Sequence, residues 1–130
     1  EPYKTEWKVF DSKSSVAGTI DMVYKKPNGE LFIFDWKRTT KLVNDIGTII
    51  KSDFEYGYDE LENLSNNSYN KYCLQQNLYK YILEDNYGEK VSSMNILVLH
   101  PRYHTYFHLQ VPNLIKETEF LIRKAREKSI

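Results

Sequence analysis

The chain has 130 residues, 41% of them hydrophobic and 28% charged, the profile of one globular domain able to bury a core of its own. Eighteen basic and eighteen acidic side chains cancel, so no global basic field is available to hold a polyanion. No apolar run approaches the roughly 18 residues of a membrane span, and nothing at the start reads as a signal peptide. The single cysteine, Cys73, excludes an internal disulfide, so a reducing, intracellular setting is expected. The first residue is Glu1 rather than Met, so a single domain excised from a longer protein is expected.

In chain order, residues 6–10 (EWKVF) alternate weakly and predict a first strand. Residues 19–25 (TIDMVYK) and 31–36 (LFIFDW) predict two strands joined by a turn at Pro27, Asn28 and Gly29. Residues 39–67 are polar and aperiodic, a long excursion with one short helix at most. Ser68 can cap a helix running to about Asn86, where Gly88 is placed to stop it. Tyr72, Tyr79, Ile82 and Leu83 give that helix an apolar stripe. Residues 94–99 (MNILVL) predict a buried strand, and 105–111 a hairpin partner reached through Pro101 and Arg102. From Asn113 a closing amphipathic helix runs through Leu114, Phe120, Leu121 and Ala125. The order is β-β-β-α-β-β-α, which implies a mixed sheet with helices packed on it, an α/β chain of the α+β type.

The hairpin register decides what the second and third strands can do. A three-residue loop of Pro27, Asn28 and Gly29 suits a type I turn followed by a left-handed glycine. That loop sets Asp21 directly opposite Asp35, with Lys37 on the same face. A two-residue Asn-Gly loop would instead turn Asp21 to the other face. Opposed carboxylates about 4.5–5.5 Å apart at Cβ repel, so a neighbouring cation must offset them or one must keep its proton. A hard divalent cation such as Mg²⁺ takes such oxygen ligands. A lysine beside it can orient a water or stabilise charge on a phosphate. An ion pair at a strand end, beside an unrelated aspartate, is the plainer alternative on spacing alone.

Three motifs in order resemble the PD-(D/E)XK nucleases, in particular their RecB-like exonuclease branch. They are Gly18-Thr19-Ile20-Asp21, Asp35-Trp36-Lys37 and Gln75-Gln76-Asn77-Leu78-Tyr79, matching Gly-x-x-Asp, Asp-x-Lys and Gln-x-x-x-Tyr. The resemblance covers residues 6 to about 110 and implies a restriction-endonuclease-like mixed sheet flanked by helices. It implies that Asp21 and Asp35 ligate one or two Mg²⁺ or Mn²⁺ ions, with the backbone carbonyl of Trp36 completing the site. Lys37 would be the catalytic lysine, with Gln75 and Tyr79 lining the groove, and Glu6 a loosely matched upstream acidic ligand. The implied activity is hydrolysis of DNA, end-directed or on single strands, in replication, repair or recombination. A larger parent protein or helicase is the implied partner. Ile20 stands where the family name has proline, and the upstream helix of many members has no counterpart here.

Arg38 and Lys41 are candidates for flanking phosphate contacts. Arg123, Lys124, Arg126 and Lys128 read as a solvated face. His100, His104 and His108 recur every four residues, but a turn at Pro101 separates them, so scattered histidines are expected rather than a metal site. Cys73 reads as buried filler. Tyr56, Tyr58 and Tyr69 are candidates for stacking on bases. Two further readings are a non-catalytic nucleic-acid-binding or assembly module that keeps the fold, and a nuclease directed at RNA.

Overall fold

The computed structural model describes residues 3–44, 47–50, 68–103 and 105–128. Tyr56, Tyr58 and His104, and the short helix allowed within 39–67 where it would fall on 51–67, lie outside the described residues. Seven elements follow the expected order: β1 (Lys4–Phe10), β2 (Ala17–Lys25), β3 (Leu31–Arg38), α1 (Ser68–Asn86), β4 (Val91–Leu99), β5 (Phe107–Gln110) and α2 (Ile115–Lys128). The five strands form one mixed sheet in the order β1-β2-β3-β4-β5, an α+β arrangement consistent with a restriction-endonuclease-like fold. β3 and β4 are parallel and every other pair is antiparallel, so α1 is carried on the long crossover between them. Among the described residues no helix is long and apolar enough to cross a membrane.

Of the two loops open to the β2–β3 turn, the three-residue one forms. The Gly29 N–H bonds to the Lys26 carbonyl at 2.9 Å, the Lys26 N–H to the Glu30 carbonyl at 2.8 Å, and Gly29 takes φ +89°. That left-handed backbone is open to glycine without a Cβ penalty. The turn sets Lys25 opposite Leu31, Tyr24 opposite Phe32 and Met22 opposite Phe34. This is the three-residue-loop register, and its continuation puts Asp21 across from Asp35.

β3 is not buried evenly. Leu31, Ile33 and Asp35 are buried, while Phe32 and Phe34 are half-buried and the Trp36 ring is exposed. The odd positions face the core with Val23, Ile96, Ile82 and Leu83, all without measurable exposure. α1 packs on β1 and β4, and α2 beside α1. Asn77 of α1 fixes the entry to α2, donating to the Pro112 carbonyl at 3.0 Å and accepting from the Leu114 N–H at 2.8 Å.

A second anchor spans the whole chain. Asp11, fully buried, receives Nε and Nη2 of Arg126 at 3.0 and 2.8 Å, Ser14 Oγ at 2.7 Å and Asn86 Nδ2 at 3.1 Å. Arg126 also reaches Asp85 at 2.8 Å. The fork-on-carboxylate pairing holds the Asp11 carboxyl well below the usual carboxylate range, the Arg126 bond being the main cause. Arg126 is therefore a half-buried structural anchor rather than part of a solvated face, unlike Lys124, which pairs with Glu127 on the surface at 3.7 Å.

Candidate active site

The site lies where β2 and β3 part. The β2–β3 ladder ends at Met22–Phe34, although β3 continues to Arg38 in pairing with β4. On its other side β2 pairs with β1 through Thr5–Met22 and resumes at Trp7–Ile20, skipping Glu6 and Asp21. Glu6 sits there with φ +47°, a conformation few non-glycine residues adopt, and its side chain is exposed. Asp21 is thus released from the ladder on both flanks. Its carboxylate turns to β3 and accepts the Trp36 N–H at 2.9 Å, in the place of a strand partner.

A strand residue's N–H and C=O lie along the same edge. The Trp36 carbonyl therefore also faces the side from which β2 has withdrawn, next to Asp21. Asp35, 5% exposed, faces the α1 side of the sheet. Burial pushes its carboxyl up to about 6, the neighbouring Asp21 carboxylate adds to the rise, and the Lys37 ammonium opposes it. Lys37 Nζ is 2.8 Å from Asp35 Oδ2, an ion pair that sets a cation directly against this buried oxygen.

α1 supplies the rest. Lys37 Nζ donates to Gln75 Oε1 at 3.4 Å and stands 4.3 Å over the ring of Tyr72. The Tyr79 hydroxyl lies near the Gln75 side chain and the Thr19 backbone, both of which favour its ionised form. Burial first, and then the charge on Asp35, raise the Tyr79 hydroxyl above its ordinary value, against those two polar neighbours. One turn of helix separates Gln75 from Tyr79, so a single face of α1 orders the ammonium and closes the site from above.

Gly18 explains itself in space rather than in backbone freedom, since its φ is not left-handed. A Cβ there would stand 2.4 Å from Cε1 and 2.8 Å from the hydroxyl oxygen of Tyr79. The first motif therefore begins with glycine because the tyrosine of the third lies on it.

The structure gathers Asp21, Asp35, Trp36, Lys37, Gln75 and Tyr79 into one place. Glu6 faces Asp21 across the interrupted ladder but is exposed, and among the described residues no three of His, Cys, Asp and Glu cluster to hold a metal. Arg38 and Lys41 are exposed just beyond the site. Tyr72 goes unmarked in the motifs because it reads as part of the helix stripe. Its place three residues before Gln75 is the signal. Gln76, by contrast, is wholly buried and belongs to the interior. His100 accepts the Arg102 N–H at 3.1 Å and His108 pairs with Asn95 at 2.7 Å, so each is occupied locally. Cys73 is buried, and burial pushes its thiol up to about 11. Tyr69 is partly buried against the core.

No family model and no curated protein matches the chain. Among solved structures it is similar to one described as "Crystal structure of SSO0001", at 11% identity and a TM-score of 0.47. The alignment covers 96% of this chain and 50% of that one, so the chain spans about half the length of that protein.

Proposed function

We propose that this domain is a metal-dependent nuclease that hydrolyses DNA phosphodiester bonds. In this reading it acts on single strands or ends during replication, repair or recombination, inside the cell and within a larger protein or beside a helicase. One observation carries the reading. Two carboxylates converge where β2 and β3 part, and a lysine held by three separate contacts stands against one of them.

The donor set fits Mg²⁺ or Mn²⁺. Asp21, Asp35 and the Trp36 carbonyl are hard oxygen donors, and among the described residues the Lys37 ammonium is what meets the buried Asp35 Oδ2. One or two such ions, when bound, supply Lewis-acid polarisation of the phosphate and ease the ionisation of a water. The chain's own groups do the remainder. The Lys37 ammonium positions the attacking water or offsets charge growing on the phosphate. Gln75 and Tyr72 keep that ammonium in place, and Tyr79 braces Gln75 while covering Asp35. Arg38 and Lys41 grip flanking phosphates, contacts that carry no sequence information.

The test uses end-labelled single-stranded DNA, closed circular single-stranded DNA and RNA of one sequence, each with Mn²⁺, with EDTA, and with Asp35→Ala. Cutting of the linear DNA that EDTA and Asp35→Ala both abolish is the expected result. Cutting of the circle would reassign the action as internal, and cutting of RNA alone would change the substrate. Binding without any cutting would leave a nucleic-acid-binding or assembly module.

A further inference from the structure

We infer that the open groove beside Gln75 and Tyr79 is the path of a single strand of nucleic acid, with Lys71 as its phosphate-binding residue. The inference rests on the nuclease reading for the identity of the ligand. Lys71, Gln75 and Tyr79 follow one another at four-residue intervals on α1, so they lie in a row with about 6 Å of helix between them. That step is comparable to the phosphate spacing of an extended single strand. Gln75 and Tyr79 end the row at Lys37 and Asp35, and Lys71 begins it one turn toward the start of the helix.

The chemistry of the walls selects the ligand. Val16 and Ala17, at the start of β2, form one wall, and Leu74 and Leu78 of α1 the other. Lys71 is exposed and, among the described residues, forms no ion pair and is the only charged one lining this groove. A duplex turns its phosphates outward and keeps its bases stacked inside, so apolar walls have nothing to meet. A single strand offers base and sugar faces to such walls and phosphates to the lysine. The groove also runs straight into the residues that order Lys37, so a strand lying in it brings a phosphate to the carboxylates. Lys71 is a positioning residue in this scheme and takes no part in the chemistry.

The test reads binding, not turnover. Anisotropy of a fluorescein-labelled oligothymidylate is measured in EDTA across a salt series for the parent, Lys71→Gln, Lys71→Arg and Lys124→Gln. One lost phosphate contact flattens the slope of log K against log salt by about 0.7 on a single strand. Lys71→Gln is expected to show that change with an affinity lowered roughly threefold or more, while Lys71→Arg retains both. Lys124→Gln, in the rival basic cluster on α2, should match the parent, and a blunt duplex should be indifferent to Lys71→Gln. An oligothymidylate that the parent does not bind overturns the groove, as does equal binding by the parent and Lys71→Gln or an equal loss in Lys124→Gln. Cleavage is scored separately. Weakened binding in Lys71→Gln with no Mn²⁺-dependent cutting by the parent keeps the groove and sinks the nuclease reading. Cutting whose KM ignores Lys71→Gln sinks the groove and keeps the reading.

Discussion

Replacing Gly18 by alanine puts a methyl group where the Tyr79 ring already lies. The new Cβ would sit 2.4 Å from Cε1, 2.8 Å from the hydroxyl oxygen and 2.9 Å from Cζ, where about 3.5–4.0 Å is comfortable for carbon pairs. The ring must retreat by about 1 Å, yet Tyr79 is 7% exposed and packed in the core. Overpacking of this kind costs about 1–3 kcal/mol. The lower backbone entropy of alanine in the unfolded chain returns about 0.4–1 kcal/mol, leaving a net loss of about 1–2 kcal/mol. For a chain of this size that is a fall in Tm of about 3–10 °C. Urea unfolding of the parent, Gly18→Ala, Tyr79→Leu and the double variant isolates the clash. With the ring gone the clash vanishes and the entropy gain remains, so the added methyl should be neutral or slightly stabilising and the cycle should show a coupling of about 1–3 kcal/mol. An equal loss from Gly18→Ala in both backgrounds would refute the packing argument.

Asp11→Asn should destabilise by about 2–4 kcal/mol in urea, less than a fully buried pair would lose because Arg126 is 24% exposed and keeps Asp85. The folded Asp11 carboxyl is held below its unfolded value of 3.8, so its contribution is complete above that value and fades as pH falls. The parent should therefore lose more stability than Asp11→Asn between neutral pH and pH ~3. Asp35 carries the opposite sign. Its carboxyl, pushed up to about 6, is penalised when charged, so the cost is absent below the unfolded value of 3.8 and complete above about 6. Asp35→Asn in EDTA should thus raise the urea midpoint at pH 8, a gain in unfolding free energy of up to about 3 kcal/mol, and leave it nearly unchanged at pH ~4. A midpoint that does not rise at pH 8 would contradict the strained-carboxylate reading. Lys37→Ala should lower Mn²⁺-dependent cleavage by about 10²–10⁴-fold while Mn²⁺ affinity in calorimetry holds or rises, since a repelling cation is removed.

Much of this fold is written in local sequence. The Pro27-Asn28-Gly29 turn offers the register that sets Asp21 against Asp35, and the Gly29–Lys26 and Lys26–Glu30 bonds select it over the two-residue loop. α1 begins at Ser68 and stops before Gly88, whose φ of +67° is the left-handed stop that local chemistry favours. Edges were less legible. β4 begins at Val91 rather than at 94, since its first residues pair with β3 despite two serines. β5 covers only Phe107–Gln110 of the alternating stretch 105–111, because four pairs with β4 are all that form. α2 begins at Ile115 rather than Asn113, whose side chain instead accepts the Lys80 ammonium at 2.7 Å.

What the sequence could not carry is contact at long range. Nothing local marks Glu6 for a left-handed backbone, yet there the β1–β2 ladder skips and Asp21 comes free. Arg126 looks like one more surface base until Asp11, 115 residues away, claims it. The alternating burial of β3 was also hidden, since an unbroken run of Leu31, Phe32, Ile33 and Phe34 reads as buried on both faces. Tyr72 is indistinguishable from core until Lys37 is seen above its ring.

The most direct measurement is Mn²⁺ binding by calorimetry to the parent, Asp21→Asn and Asp35→Asn, with thermal unfolding to confirm that each is folded. Convergence of the two carboxylates on one cation requires that the parent bind Mn²⁺ and that either substitution weaken binding at least roughly tenfold, a loss of about 1.4 kcal/mol. Folded variants that bind as tightly as the parent, or a parent that binds none, would contradict a cation site between β2 and β3.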